Sequence, residues 1–179
     1  MRPTIAAVIM FVLVFAALGS VTEPPAVRAQ GEAVLAAPVP GTVIVDDRSE
    51  GFRAKGSGWR SAGGGYEDHH YWTKAGRKVT SLGIWSTAIE DPGYYRVAAK
   101  LPRWHASTRK AVYRIRTAEG WVQRLRNQYR GRGGWVNLGT HDFGDTAEVR
   151  LANKTLDPRG SRRTVAYDAI RFVPVDQRR

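Results

Sequence analysis

The sequence predicts an all-β fold, an antiparallel, jelly-roll-like β-sandwich of about nine strands preceded by a signal peptide. Three observations carry that prediction. Beyond residue 41, no segment of about 11 residues sustains the i, i+3, i+4, i+7 apolar spacing of an amphipathic helix. Short alternating runs recur instead, each bounded by Gly, Pro, Asp or Ser. The chain also contains no cysteine, so a sandwich with a sizeable packed core must hold itself together without disulfides.

The N-terminus reads as an export signal. Arg2 precedes an uncharged apolar run over residues 5–18, which Gly19, Ser20 and the helix-breaking Pro24 and Pro25 follow. That run is short of the ~20 apolar residues a membrane span needs. Small residues offer signal-peptidase sites after Gly19, with Ala17 at −3, and after Ala29, with Val27 at −3, and the second is preferred. The alternative is an uncleaved anchor, and either arrangement places the domain outside the cytoplasm. The resulting organisation is a signal peptide at 1–29, a small-residue, Pro-containing linker at 30–41, one domain at 42–175 and a basic tail at 176–179.

Within the domain the predicted strands are 42–46, 71–73, 79–85, 93–99, 111–117, 121–128, 136–143, 146–151 and 165–173, a number and spacing that suit a sandwich or jelly roll. One hairpin yields a register. Ala118-Glu119-Gly120 fits a three-residue loop with Gly in the left-handed position, which pairs Thr117 with Trp121. Tyr113 then faces Leu125 and Ile115 faces Gln123 on one side of the ribbon. The other side carries Arg114 opposite Arg124, with Arg116 and Arg126 one step along. Four like charges on one side destabilise a ribbon. Either an anionic partner compensates, or the long side chains splay into water and blunt an exposed sheet.

Charge points the same way. The formal net charge is +12, and between Lys100 and Arg132 ten basic residues (Lys100, Arg103, Arg109, Lys110, Arg114, Arg116, Arg124, Arg126, Arg130, Arg132) stand against Glu119 alone. A surplus concentrated in one stretch predicts a surface for an anionic partner.

Several motifs, in order, resemble the golvesin C-terminal-like domain family, the carbohydrate-binding-like module also found at the end of xanthan lyases. They are Ile44-Val45-Asp46-Asp47 with Gly51-Phe52 and Gly58-Trp59; Tyr71, Ala75-Gly76 and Trp85; and Pro92-Gly93-Tyr94-Tyr95-Arg96-Val97. Gly134-Trp135-Val136-Asn137-Leu138-Gly139-Thr140 with Phe143 follows, and then Val165-Ala166-Tyr167-Asp168-Ala169-Ile170-Arg171-Phe172. The terminal segment departs from the family's pattern at Tyr167. The resemblance spans residues 43–173 and implies a jelly-roll-like sandwich. It also implies that Trp59, Trp85, Tyr95, Trp135 and Phe172 fill the core.

Aromatic residues outside those motifs, Trp72, Trp104, Trp121 and Tyr129, are candidates for stacking on sugar faces, since a rigid exposed ring offers contact area at low entropic cost. Trp104 leads, in the 102–109 loop, and Tyr129 lies among Arg126, Arg130 and Arg132. Trp121 shares its predicted face with Leu125, which favours burial. Guanidinium groups bind carboxylate, sulfate and phosphate bidentately.

Catalysis has little support. His69, His70, His105 and His141 match no metal-ligand spacing, and no nucleophile motif is present. Glu67-Asp68-His69-His70 reads as a solvated loop more readily than as a metal or acid–base site. The absence of cysteine excludes thiol catalysis, Cys-based zinc sites and iron–sulfur clusters. Some carbohydrate-binding sandwiches hold Ca²⁺ between their first and last strands through oxygen ligands, and Asp46, Asp47 and Asp168 fall near those strands. Turn capping is the alternative role for them.

The expectation is a secreted, extracellular or cell-wall-associated, non-catalytic module with no cofactor beyond that calcium. Its ligand is a carbohydrate or an acidic cell-surface polymer, bound through Arg114, Arg116, Arg124, Arg126, Arg130, Arg132, Trp104 and Tyr129. The alternatives are a nucleic-acid binder, an anionic-lipid binder, or a structural surface domain that binds another protein.

Overall fold

The computed structural model describes residues 39–175, where every helix-length segment is instead a strand or a loop. The predicted signal peptide, most of the linker and the basic tail lie outside the described residues. The strands are β1 (Val43–Val45), β2 (Phe52–Gly56), β3 (Arg60–Tyr66), β4 (His69–Lys74), β5 (Ser81–Ala88), β6 (Gly93–Lys100), β7 (Ala111–Thr117), β8 (Gly120–Arg126), β9 (Trp135–Phe143), β10 (Thr146–Ala152), β11 (Thr164–Tyr167) and β12 (Ile170–Pro174). They form a four-stranded sheet in the order β1-β12-β6-β9, a five-stranded sheet β2-β5-β10-β7-β8 and a three-stranded sheet β11-β4-β3. The paired strands run antiparallel.

Period-two alternation sets the layers. Ala111, Tyr113 and Ile115 of β7 and Ala147, Val149 and Leu151 of β10 are buried, and they share one core with Val97 and Ala99 of β6, Leu138 and Phe143 of β9 and Phe172 of β12. Phe143 and Phe172 meet edge to face at 5.7 Å. Trp85, buried as expected, donates from its indole N–H to the Asp168 carbonyl at 2.7 Å. Gly83 allows the layers to close here, because a Cβ at that position would lie 2.7 Å from Tyr167 Cδ1. Tyr95 and Phe172 are buried and Trp59 packs on the core through Tyr167 at 4.6 Å. Trp135 departs from expectation. It lies outside the core cluster, half-buried, with the Arg171 guanidinium 4.5 Å from its ring.

The structure differs from the sequence expectation in three ways. β2 and β3 were not anticipated, and β3 incorporates Gly63-Gly64-Gly65, where its pairing with β4 shifts register. The predicted strand over 165–173 is two strands: the chain leaves the three-stranded sheet after Tyr167, turns at Asp168 and Ala169 and joins the four-stranded sheet as β12.

The third difference is the β7–β8 register. Thr117 pairs with Gly120, not Trp121, so only Ala118 and Glu119 form the turn. The Thr117 hydroxyl closes it, donating to the Gly120 carbonyl (3.0 Å) and accepting from Glu119 N–H (3.3 Å), while Gly120 takes a φ of 123°. A slip of one residue sends every side chain of a strand to the other face. Arg114 therefore faces Gln123, Arg116 faces Trp121, and Arg124 pairs with Tyr113. The expected four-arginine face does not exist: Arg114 and Arg116 lie on one side of the ribbon, Arg124 and Arg126 on the other.

Candidate binding face

The register places a chemically mixed surface on the outer side of the five-stranded sheet. One row across it reads Arg53, Ile84, Arg150, Arg114 and Gln123; beside it lie Lys55, Leu82 and Ala152 on three strands and Val112 paired with Leu125 on the other two. A third carries Ser86, Glu148, Arg116 and Trp121. Arg53, Lys55, Arg114, Arg116 and Arg150 thus share a face with a single acid, Glu148.

Arg114 and Arg150 are direct cross-strand partners, an arrangement that is repulsive by itself. Two contacts offset the repulsion. Glu148 accepts a hydrogen bond from Arg150 Nε, and the Trp121 ring has the guanidinium carbons of Arg114 and Arg150 at 5.0 and 4.5 Å from its centroid, both within cation–π range. Trp121 nonetheless remains 38% exposed and Leu125 49% exposed. The expectation that Trp121 is buried with Leu125 is overturned. The two do share a face, but it is the face that meets water.

Arg124 and Arg126, on the other side of the hairpin, bond to backbone carbonyls. β9 carries a bulge at Leu138, since Val97 pairs with Gly139 while Ala98 pairs with Asn137. Arg126 donates from Nε to the Asn137 carbonyl at this bulge (2.6 Å) and from Nη1 to the Leu125 carbonyl (2.9 Å). Arg124 donates to the Gln123 carbonyl (3.0 Å).

A second aromatic and cationic cluster lies in the loops. Tyr129 is 43% exposed, with the Arg132 and Arg109 guanidinium carbons 4.0 and 5.4 Å from its ring. Its N–H donates to the Thr108 carbonyl (3.2 Å), which joins its loop to the one carrying Trp104. Trp104 is 63% exposed. Arg130 is exposed, and its N–H donates to Asn127 Oδ1. Trp72 instead stacks on His105 at 4.4 Å.

The three aspartates are held by backbone and histidine donors on one oxygen or both, while Asp46 Oδ1 and Asp168 Oδ2 are buried without a partner. Asp47 accepts from His69 Nδ1 (3.1 Å) and Tyr71 N–H (2.8 Å), Asp46 Oδ2 from Arg48 N–H (3.3 Å), and Asp168 Oδ1 from the N–H groups of Tyr66 and Ala169 (2.9 Å each). Among the described residues, no group of three or more His, Cys, Asp or Glu side chains is arranged to hold a metal ion. The Asp46 contact is a turn cap, the alternative role raised for these residues. Burial pushes the Asp168 carboxyl up to about 7, and the neighbouring charges of Asp47 and Asp46 add to the rise against the two backbone donors. Glu67 and Asp68 form an exposed turn between β3 and β4, with φ of 48° and 59°. His70 is buried against His105 (Nε2 to Nδ1, 3.1 Å), and burial, with the His105 and His69 charges, lowers its pKa to about 4.

The profile of the Golvesin C-terminal domain matches residues 43–174. The chain belongs to this family. Among solved structures, the golvesin-type domain is similar to a Paenibacillus xanthan lyase (TM-score 0.64, 21% identity), over 76% of this chain and 13% of the lyase. It also matches a Podospora anserina GH26-CBM35 β-(1,4)-mannanase (TM-score 0.44, 11% identity), over 78% of this chain and 29% of that one. The first likeness supports the sandwich fold. No curated protein sequence matches the chain. Among the described residues no helix is long and apolar enough to cross a membrane.

Proposed function

We propose that this golvesin-type domain is a secreted, non-catalytic module that binds an acidic polysaccharide on the outer face of its five-stranded sheet. The observation that carries the reading is the exposed Trp121 ring set among Arg114, Arg116 and Arg150. An indole offers a sugar ring a flat apolar surface, and guanidinium groups beside it offer paired donors to a carboxylate or sulfate on the same or the next sugar. Glu148 occupies one donor of Arg150, which leaves Arg114 and Arg116 as the principal anion contacts. The Tyr129 and Trp104 loops supply a second contact surface for a chain long enough to reach them. The N-terminal sequence pattern supports export of the domain, and the lack of a nucleophile motif in the sequence supports a non-catalytic role.

Affinity electrophoresis through gels containing acidic or neutral polysaccharides, at low and high salt, tests the proposal. Retardation by acidic polymers that weakens with salt is expected. Retardation by neutral polymers alone, or by none, refutes it. Stronger retardation by single-stranded DNA than by any polysaccharide would move the assignment to nucleic acid.

A further inference from the structure

The outer face ends in a groove of about 480 Å³ that the anion contacts do not account for. Half-buried Leu82 and Val112 line it together with Val79 and Leu156, which are 57% and 53% exposed. Arg114, Arg150, Gln123 and Lys154 line the same space, so apolar and hydrogen-bonding groups share a single groove.

The segments bearing Val79 and Leu156 are fixed in place. Buried Asn153 accepts from Thr80 N–H (2.9 Å) and Ser81 N–H (3.1 Å) and donates to the Lys74 carbonyl (3.2 Å) and the Thr80 hydroxyl (2.8 Å), which pins the loop bearing Val79. Leu156 N–H donates to the Lys110 carbonyl (3.2 Å) and Thr155 N–H to the Gly76 carbonyl (3.1 Å). A groove held open by such bonds loses little ordering entropy on binding.

The geometry points to a short O-acyl ester, acetyl above all, carried by the acidic polysaccharide as the occupant of this groove. The inference rests on the reading of the face as an acidic-polysaccharide site and specifies which polymers it prefers. An ester matches both kinds of lining: its carbonyl accepts a hydrogen bond from Arg114, Gln123, Arg150 or Lys154, while its methyl group rests among Val79, Leu82, Val112 and Leu156. Continuity with the cationic rows sets the polymer's carboxylates beside the groove. A long lipid chain fits less well, because filling the groove would strip water from four polar side chains and return no partner to them.

The test uses acidic oligouronates of one length, O-acetylated or fully deacetylated by mild base, titrated calorimetrically into the protein. Burial of one methyl group predicts about fourfold tighter binding of the acetylated form. Val79→Ser with Leu156→Ser, both at exposed positions, should abolish that preference, leave the affinity for the deacetylated form unchanged and leave the melting temperature unchanged. Equal affinity of the wild type for the two forms overturns the ester while the acidic-polysaccharide reading stands. Binding of neither form defeats both. Binding to phosphatidylglycerol vesicles that the two serine substitutions abolish would assign the groove to a lipid and also overturn the ester.

Discussion

Asp168→Asn should change how stability depends on pH far more than it changes stability at any single acidic pH. Asp168 is 2% exposed at the crossing from β11 to β12. Its Oδ1 accepts two backbone hydrogen bonds and its Oδ2 has no partner. Burial, reinforced by Asp47 and Asp46, raises its pKa from 3.8 to about 7. A group whose folded-state pKa is raised contributes stability that is complete below the unfolded value and is lost as pH climbs through the folded one. Between pH 4 and 8 the folded chain must surrender a proton that the unfolded chain has already released. At 1.36 kcal/mol for each tenfold change in proton affinity, the loss reaches about 4 kcal/mol at most. Asparagine does not titrate there. Guanidinium unfolding at intervals from pH 4 to 9 should therefore show the variant gaining on the wild type by up to about 4 kcal/mol, with the two curves parallel above pH 8. A constant gap from pH 4 to 8 would show that Asp168 ionises in the folded protein as it does in the unfolded chain, and would refute the argument.

Two further outcomes follow from the same packing. Gln128 is fully buried, donating to the Tyr113 hydroxyl (2.8 Å) and the Ala166 carbonyl (3.0 Å) and accepting from Ala166 N–H (3.0 Å). Gln128→Leu strands those groups and should lower unfolding stability by about 3 kcal/mol, read as a drop in the denaturant midpoint at unchanged slope. Because no three His, Asp or Glu side chains among the described residues are arranged to hold a metal ion, melting temperatures in calcium and in EDTA should coincide, and a shift of several degrees would restore a calcium site.

The strands with clean alternation were legible in the sequence: residues 111–117 coincide with β7, and the expected 136–143 and 146–151 differ from β9 and β10 by one residue. β3 was not legible, because three consecutive glycines give no side-chain pattern, and its pairing is fixed by β4 through the turn at Glu67 and Asp68. The largest change to the candidate site came from a single loop residue. A three-residue loop and a two-residue turn both suit Ala118-Glu119-Gly120, and the bonds made by the Thr117 hydroxyl, together with Ala118 N–H donating to the Asp142 carbonyl (2.9 Å), accompany the shorter one. That difference moved Trp121 out to water and turned Arg126 toward the β9 bulge. Arg150 could not have been assigned from sequence to the site, since it meets Trp121 only by way of the β10–β7–β8 pairing.

That register also provides the most direct test of the proposed function. Titration of an acidic oligosaccharide into two double variants, Arg114→Ser with Arg116→Ser and Arg124→Ser with Arg126→Ser, compares the two faces of one hairpin. The outer pair should cost tenfold or more in affinity, on the order of 1.4 kcal/mol, and the inner pair less than about twofold with some loss of stability. Equal losses from both pairs, or a larger loss from the inner pair, would contradict binding on the outer face.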